Sequence, residues 1–403
     1  MSLIDGLKIH LEKVDDPRVI KRCSHSLVDI LVIVVLGVLS HAESLVEIER
    51  WANSKIDWLK KFLELPSGIP SHDTIARILY LIEPREFEVA FMTWVDSFRD
   101  SPAGDVLCID GKVSRGTAKT KRGALNTVSV FSTLTQLVLA QGKSKSGGNA
   151  EATTAKDLLD HLNIRDCLIV GDAGIGLNSV ANTIDEKGGH YIFPIKGNRR
   201  NLKAAIEDKF KNVAEKNSKK PHVKTYSLKE KGHGRLDERH IAVIKREDCA
   251  DIELFGEDDY KHLEAIGRVT SYRKTKENRP FLQGKDQAGN IKYEVPQKKY
   301  RESKEVRYFI TNLKADAQTY LEELRKQWRI ENQLHWVLDV SFGEDAYRTR
   351  EERIAQNLAL ARKIAFNLVK QDKSVKIGVK AKLKLAGWDL EYLEKILFQQ
   401  KLS

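Results

Sequence analysis

The sequence predicts an α/β fold: a mixed sheet covered by helices, with a helical region before it and a strand-rich insertion within it. Residues 1–100 follow helical patterns, and strands then alternate with helices over 101–197. A polar, strand-rich stretch over 198–305 precedes the last core strand and the remaining helices of 306–403. Alternating strands and helices are typical of a sheet covered on both faces. We therefore expect four segments with these bounds, the second and fourth forming one domain.

Apolar periodicity and capping residues predict the helices of the first segment. Ser26–Ser40 and Glu43–Leu63 are predicted helices, and "PSHDTIARILYLI" and "PREFEVAFMTWVDSF" predict two more. Ser71 or Asp73 is the expected N-cap of the third helix. The apolar run Ile30–Leu39 is too short to span a bilayer, so it predicts a buried helix.

Strand patterns begin after residue 100. "VLCIDGK", "NTVSVFSTLT" and "LVLAQGK" predict three strands joined as hairpin-like partners. After a helix around Thr154–Leu162, the apolar run in "CLIVGDAG" is typical of a buried central strand. A helix begins at Asn178, "HYIFPIKGN" is a further strand, and "VRYFITNL" resumes the core after the insertion.

The charge balance predicts an anionic partner. The net charge is +11 and the pI is near 9.2, which favours nucleic acid first and an anionic membrane surface second. Lys196–Arg235 holds thirteen Lys and Arg against four Asp and Glu. The chain opens on a charged, amphipathic stretch instead of a signal peptide, and its four cysteines form no C-x-x-C pair. We expect a cytoplasmic protein without a cysteine metal site.

Two aspartates follow apolar strand segments. Asp110 precedes Gly111 at the expected end of the first strand, and Asp172 follows the central strand. Ligands of such sheets gather beyond the carboxyl ends of the strands. Either aspartate could instead be a turn residue. A third acid, Glu331, would complete a cluster suited to metal-assisted phosphoryl transfer, with two Mg²⁺ ions about 4 Å apart.

Glu331 lies within an apolar helical pattern. The side chains predicted on one face are those of Leu321, Leu324, Trp328, Glu331, His335, Leu338 and Phe342. An unpaired carboxylate on a buried face would cost several kcal/mol, roughly. The alternatives are a buried ion pair or a half-solvated helix. Glu344 and Asp345 are rival acids, and His335 is expected to orient Glu331 or a phosphate.

Two other motifs admit different interpretations. "VGDAGIGLNS" combines a strand, a glycine-rich turn and a helix, as a dinucleotide site does, but it lacks the third glycine of that fingerprint. "GHGRLDERH" has histidines and acids that suggest a metal site, and a solvated turn or a DNA contact is favoured over that interpretation.

Six blocks of the sequence resemble, in order, those of bacterial insertion-sequence transposases of the DDE (Asp-Asp-Glu) class. The blocks are "IDGKVSRGT", "VGDAGIGLN", "YIFPIKGN", "GHGRLDERH", "VRYFITNL" and "WRIENQLHWVLDVSFGEDAYRTR". The nearest branch is that of the H-repeat-associated transposases found near Rhs elements. This resemblance implies an RNase H-like catalytic fold with a β-rich insertion before the glutamate helix, and DNA-end binding by the helical segment 1–100.

The resemblance also implies the chemistry. Carried over by motif, Asp110, Asp172 and Glu331 are the catalytic acids and the ligands of Mg²⁺, with Mn²⁺ as a substitute. Trp328, Asn332 and His335 are expected to support them. Lys112, Lys196 and Arg199 are expected to contact phosphates near the site, and Arg348, Arg350 and Arg353 to follow the strand away from it.

The expected partner is double-stranded DNA, both element ends and target, bound by a homodimer or a higher oligomer. No membrane partner is expected, and the protein is expected at the nucleoid when it is bound to DNA. The expected activity is metal-dependent cleavage and strand transfer at element ends. One alternative is an RNase H-like nuclease that cuts DNA without strand transfer. The other is a domesticated, non-catalytic DNA-binding protein, which the presence of all three acids disfavours.

Overall fold

The computed structural model describes most of the chain. The described residues are 1–19, 21, 23–99, 102–118, 123–145, 147–215, 223–232, 234–249, 260–276, 281–285, 291–294 and 300–398. They divide into two compact units. Unit 1 comprises Met1–Gly189 with Lys326–Ser403, and unit 2 comprises His190–Arg325.

The helices and strands are numbered along the chain. The helices are α1 Leu3–Leu11, α2 Leu27–Leu39, α3 Leu45–Ser54, α4 Ile56–Leu59, α5 His72–Leu81, α6 Pro84–Phe98, α7 Ala150–Asp160, α8 Asn178–Glu186, α9 Arg200–Glu215, α10 Ala317–Lys326, α11 Trp328–Ile330, α12 Trp336–Phe342, α13 Glu352–Gln371, α14 Val379–Trp388 and α15 Leu390–Phe398. The strands are β1 Val106–Ser114, β2 Leu125–Ser132, β3 Val138–Lys143, β4 Leu168–Gly171, β5 His190–Ile195, β6 Lys224–Gly232, β7 Arg235–Lys245, β8 Ala265–Lys276, β9 Phe281–Lys285, β10 Ile291–Glu294 and β11 Tyr300–Thr311.

The N-terminal helices begin at serine caps. Ser71 is the N-cap of α5 and accepts a hydrogen bond from the backbone N–H of Thr74, which confirms the first of the two predicted capping residues. The single helix predicted over 43–63 is wrong, because α3 ends at Ser54 and α4 ends at Leu59. Asn53 and Ser54 donate side-chain hydrogen bonds to backbone carbonyls of α3, an arrangement that competes with helix continuation.

The long helix α13 connects the C-terminal part of unit 1 with its N-terminal helices. It packs against α2, α5 and α6. Asn357 donates to the carbonyls of Leu79 and Ile82, and Asn367 both donates to and accepts from the backbone of Val138 on β3. The apolar run of α2 is buried at nearly every position, as its composition predicts. Among the described residues, no helix is both long and apolar enough to cross a membrane.

The strands of unit 1 lie in the order β3-β2-β1-β4. β1 and β2 are antiparallel, as are β2 and β3, whereas β1 and β4 are parallel with Ile109 opposite Gly171. This is the mixed sheet with flanking helices of the predicted RNase H-like fold class. The parallel pair places the residues after Ile109 and after Gly171 side by side, and these are Asp110 and Asp172.

Unit 2 contains the predicted β-rich region. Its larger sheet has the order β5-β11-β8-β7-β6, and β9 and β10 form a separate pair. β11 pairs antiparallel with both β5 and β8, so "VRYFITNL" lies in a core strand as predicted. The basic stretch over 196–235 begins with a helix, α9, that the strand-rich interpretation missed.

Candidate active site

Asp110 lies in the middle of a strand and not at its end. β1 continues to Ser114 because its antiparallel pairing with β2 continues to Leu125, so the predicted strand end is wrong. Asp110 nevertheless lies level with the end of β4, the parallel neighbour. Its Oδ1 accepts a hydrogen bond from the backbone N–H of Gly111 at 2.9 Å.

Asp172 forms the turn that follows β4. Its Oδ1 accepts hydrogen bonds from the N–H groups of Gly174 at 2.8 Å and Ile175 at 3.1 Å. This is the Asx-type turn that the sequence left open. The turn fixes the carboxylate beside Asp110 and is compatible with a second role for it, since a carboxylate has further lone pairs.

Glu331 opens a π-helical turn. Residues Glu331–His335 form this turn between α11 and α12, and the N–H of Trp336 bonds back to the carbonyl of Glu331. A π turn inserts one residue into an α-helix and so rotates the following residues relative to the preceding ones. The predicted continuous buried face is therefore wrong at Trp328, which is 56% exposed, and at Glu331, which is also exposed.

The residues on the buried side of this segment pack it against β1 and against the helices α13 and α14. They are Ile330, Leu334, His335, Val337, Leu338, Ser341 and Phe342. α11 packs against β1, the strand of Asp110. Glu331 therefore faces solvent beside the sheet, and its carboxylate needs no ion-pair partner within the core.

Three side chains converge on one point. Ligand atoms of Asp110, Glu331 and His335 all lie within 4.8 Å of one another. The Nδ1 of His335 is 3.6 Å from an Oδ of Asp110. His335 is predicted to orient Glu331 or a phosphate, and its imidazole also faces Asp110. Carboxylate oxygens and an imidazole nitrogen form a donor set that fits a divalent cation.

Burial and charge crowding shape the electrostatics of this cluster. Burial raises the pKa of Asp110 to about 7, and the charges of Asp172, Glu331 and Glu151 act in the same direction. Burial lowers the pKa of His335 to about 4, helped by the nearby Lys363. At neutral pH this imidazole is uncharged and has a lone pair available for a cation. A bound metal ion would stabilise the ionised form of acids that are crowded in this way.

Glu151, at the start of α7, is an acid that the sequence analysis missed. Its Oε1 accepts a hydrogen bond from the Nδ2 of Asn126 at 3.2 Å. A Cβ on Gly111 would lie only 2.4 Å from that Oε1, so the glycine after Asp110 leaves room for this carboxylate. In the sequence, only Gly111 points to this close approach, and a glycine does not identify the side chain that lies against it.

Lys112 lies in a buried ionic network. It is 8% exposed and pairs with Asp339, with Glu344 at 3.5 Å and with Asp345 at 3.9 Å. Its ammonium bonds to carboxylates, so we do not retain it among the expected phosphate contacts. Neither rival acid belongs to the cluster of Asp110, Glu331 and His335.

Glu344 is the centre of that network. Lys363, 1% exposed, binds it at 3.0 Å. Burial opposes ionisation of Glu344, but the positive charges of Lys363, Lys112 and Arg362 outweigh burial and hold its pKa at about 2. This carboxylate is therefore a structural anion.

The arginines expected to bind DNA occupy different settings. Arg348 and Arg350 are exposed and line a pocket of about 570 Å³ together with Arg115 and Thr349. Arg353 pairs with Glu83 at 3.0 Å. In unit 2, Lys196 is exposed, and the guanidinium of Arg199 lies 5.3 Å from the ring centroid of Tyr260.

Comparison with known proteins gives consistent matches. A family model described as "Transposase DDE domain" matches residues 101–368, and one described as "DDE_Tnp_1-associated" matches residues 8–95. Two relatives from Escherichia coli (strain K12) are named H repeat-associated putative transposases. YhhI is 32% identical over 98% of both chains, and YbfD is 36% identical over 58% of this chain and 91% of its own. A solved piggyBac transposase synaptic complex with hairpin DNA aligns over 98% of this chain and 77% of its own, with 9% identity and a TM-score of 0.41.

Proposed function

Because this chain belongs to the family of transposases with a DDE domain, we propose that Asp110, Asp172 and Glu331 catalyse its cleavage and transfer of DNA strands. The protein is a DNA transposase, its partner is DNA, and its chemistry uses a divalent metal. The finer proposal names Mg²⁺ as that metal, with Mn²⁺ as a substitute, and insertion-sequence ends and target duplex as substrates.

The observation that carries the proposal is the convergence of Asp110, Glu331 and His335 within 4.8 Å, with Asp172 on the adjacent parallel strand end. These residues would hold the cation. When bound, Mg²⁺ supplies Lewis-acid polarisation and charge stabilisation at the attacking and leaving oxygens. The protein itself holds the donors in place, through the Asx turn at Asp172 and the buried packing of His335.

The DNA backbone is proposed to leave the acids along β1 toward the pocket of Arg115, Arg348 and Arg350. Arg115 is five residues after Asp110, which at strand rise corresponds to roughly 16 Å. The backbone N–H of Arg115 donates to Asp345, which is also 3.9 Å from Lys112. The ionic network thus fixes the pocket relative to β1. Lys196, Arg199 and Arg353 remain proposed phosphate contacts.

The proposed assembly in the DNA complex is a homodimer or a higher oligomer, and the proposed location is the cytoplasm, at the nucleoid. Segment 1–100 is proposed to recognise the element ends, segments 101–197 and 306–403 to form the catalytic domain, and segment 198–305 to form the inserted region.

A strand-transfer assay separates this function from its rivals. The protein is incubated with labelled duplexes that carry candidate element ends, with plasmid target and Mg²⁺, and the products are mapped by strand. Joined products whose transferred 3′ end matches the element end are expected. Cleaved ends that never join the target would favour the nuclease, and binding without any cleavage would favour the non-catalytic protein.

A further inference from the structure

Two side-chain contacts join β1 to the helical segment that carries Glu331. In the first, the Nδ1 of His335 is 3.6 Å from Asp110, and the second is the ion pair of Lys112 with Asp339. Asp110 and Lys112 are two residues apart in a strand, so their side chains point to the same face. His335 and Asp339 are four residues apart along a helix, so they also share a face. The two contacts are therefore neighbours between one strand and one helix.

The spacing of the two contacts agrees on both elements. Two residues of a strand rise about 6.8 Å, at about 3.4 Å per residue. Four residues of an α-helix rise about 6 Å, at about 1.5 Å per residue. The position in which Lys112 reaches Asp339 is therefore also the position in which His335 lies beside Asp110. A shift of the helical segment along β1 by one turn would separate both pairs.

The ammonium of Lys112 is held from more than one side. It lies 3.5 Å from Glu344, which Lys363 of α13 binds in turn at 3.0 Å. Separation of a buried ion from its partners is costly, so the ammonium stays among these carboxylates. Further along, the backbone N–H of Arg115 donates to the Oδ1 of Asp345 at 2.9 Å. The contacts thus advance in the same direction along β1 and along the chain that follows Glu331.

We propose that Lys112 is a positioning residue for the metal site. Its ion pair with Asp339 fixes the position of the helical segment along β1. Glu331 and His335 are thereby held where they bind one cation together with Asp110. The inference rests on the proposed function, since it takes these three side chains to be ligands. Lys112 itself is assigned no contact with the cation or with DNA.

Positioning and simple charge predict opposite results for one substitution. Removal of a positive charge near a metal site would by itself strengthen the binding of a cation, because like charges repel. Loss of a group that orients metal ligands weakens metal binding instead, typically by about 10–100-fold. The sign of the change in metal affinity on removal of the Lys112 charge therefore separates the two effects.

The test measures metal binding and DNA binding separately. Mn²⁺ affinity is measured by isothermal titration calorimetry, and DNA affinity is measured in EDTA. The variants are Lys112→Met, which removes the charge and keeps an unbranched side chain, Lys112→Arg, which keeps the charge, and Asp339→Ala. Lys382→Met is the matched control, because Lys382 is as buried as Lys112, at 8% exposed, and pairs with Asp372 at 2.8 Å.

Lys112→Met and Asp339→Ala are each expected to weaken Mn²⁺ binding by about tenfold or more. The double variant should lose no more than Lys112→Met alone, because both substitutions break the same contact. Lys112→Arg should recover most of the affinity, since it keeps a cation among the carboxylates. Lys382→Met should bind Mn²⁺ like the wild type at a lower melting temperature, and DNA affinity in EDTA should be unchanged throughout.

Two results would overturn the positioning role. Mn²⁺ binding by Lys112→Met at or above the wild-type affinity, with a lower melting temperature as in Lys382→Met, would leave the lysine as a structural cation only. Weaker DNA binding in EDTA with Mn²⁺ binding intact would assign the lysine to a phosphate instead. If Lys112→Met does not fold, Asp339→Ala gives the same test at a more exposed position.

Glu331→Gln distinguishes failure of this inference from failure of the proposed function. If Glu331→Gln binds Mn²⁺ as tightly as the wild type does, the proposed metal site is wrong. If Glu331→Gln loses Mn²⁺ binding while Lys112→Met and Asp339→Ala keep it, the metal site stands and only the positioning role is wrong.

Discussion

At the scale of single residues, the ion pair of Lys363 and Glu344 is buried, so substitution of either partner should lower stability. Removal of one partner leaves an uncompensated buried charge, which costs about 3–5 kcal/mol. Lys363→Met should therefore lower the free energy of unfolding by about that amount, reduced somewhat by the remaining Lys112. Urea denaturation measures it. Lys363→Met with Glu344→Gln should recover part of the loss, and a double variant no more stable than the single one would contradict this explanation.

Glu88 on α6 predicts a pH dependence of stability. Burial raises its pKa to about 7, against the smaller opposing effect of Arg85. A carboxyl group with a raised folded-state pKa stabilises the fold below its unfolded pKa, and that contribution is lost as pH rises through about 7. Glu88→Gln should therefore become more stable than the wild type at pH 8, by up to about 3 kcal/mol relative to their difference at pH 4. Thermal denaturation at both pH values, with the exposed Glu391→Gln as control, measures it; a pH-independent difference would refute the role.

The candidate catalytic acids could be predicted from the sequence, but the residues that surround them in the fold could not. Asp110 and Asp172 each follow a short apolar run, which predicts strand ends. The strand pairing that carries β1 past Asp110 depends on β2, fifteen or more residues later, and so is invisible locally. Glu151, at the start of α7, lies against Gly111 and its charge acts on Asp110. Lys112 pairs with carboxylates of residues 339–345. Such long-range contacts have no local sequence signal.

At the scale of elements, the π turn explains why the helical pattern predicted a buried face that is partly exposed. Periodicity assumes a constant 100° per residue, and one inserted residue shifts every later position. Leu321, Leu338 and Phe342 are buried as predicted, whereas Trp328 and Glu331, just before and at the start of the π turn, face solvent. The predicted mixed sheet is confirmed because alternation of strand and helix survives such local changes.

Gly116 lies in a 3₁₀ turn, Arg115–Thr117, that follows β1 and passes close to the backbone of Tyr347 and Asp345. A Cβ on Gly116 would lie 2.3 Å from the carbonyl oxygen of Tyr347 and 2.7 Å from that of Asp345. Gly116→Ala must displace backbone, and overpacking of this kind costs typically about 1–3 kcal/mol. We expect a lower melting temperature and a distorted arginine pocket. Gly148→Ala is the control, because a Cβ there meets nothing within 4 Å; equal melting temperatures for both variants would contradict the close approach.

At the scale of the whole molecule, the excess of positive charge predicts salt-sensitive DNA binding. The logarithm of affinity should fall linearly with the logarithm of salt concentration, with a slope near −0.9 per neutralised phosphate, roughly. Arg348→Ala with Arg350→Ala should weaken binding to all DNA sequences and make the slope shallower by about two. Lys156→Ala is the comparison, because its ammonium pairs with Asp160 at 3.3 Å and it is not among the proposed phosphate contacts. A slope unchanged in the double variant would place the DNA path elsewhere.

The central claim is that Asp110, Asp172 and Glu331 form the metal-dependent catalytic site. The most direct measurement is Mg²⁺-dependent cleavage of an element-end duplex by Glu331→Gln, with the exposed Glu322→Gln as control and circular dichroism to verify folding. We expect Glu331→Gln to fold and to lose activity by more than the roughly 100-fold that loss of an outer-shell partner costs, while Glu322→Gln cleaves normally. Cleavage by Glu331→Gln at the wild-type rate would contradict the claim.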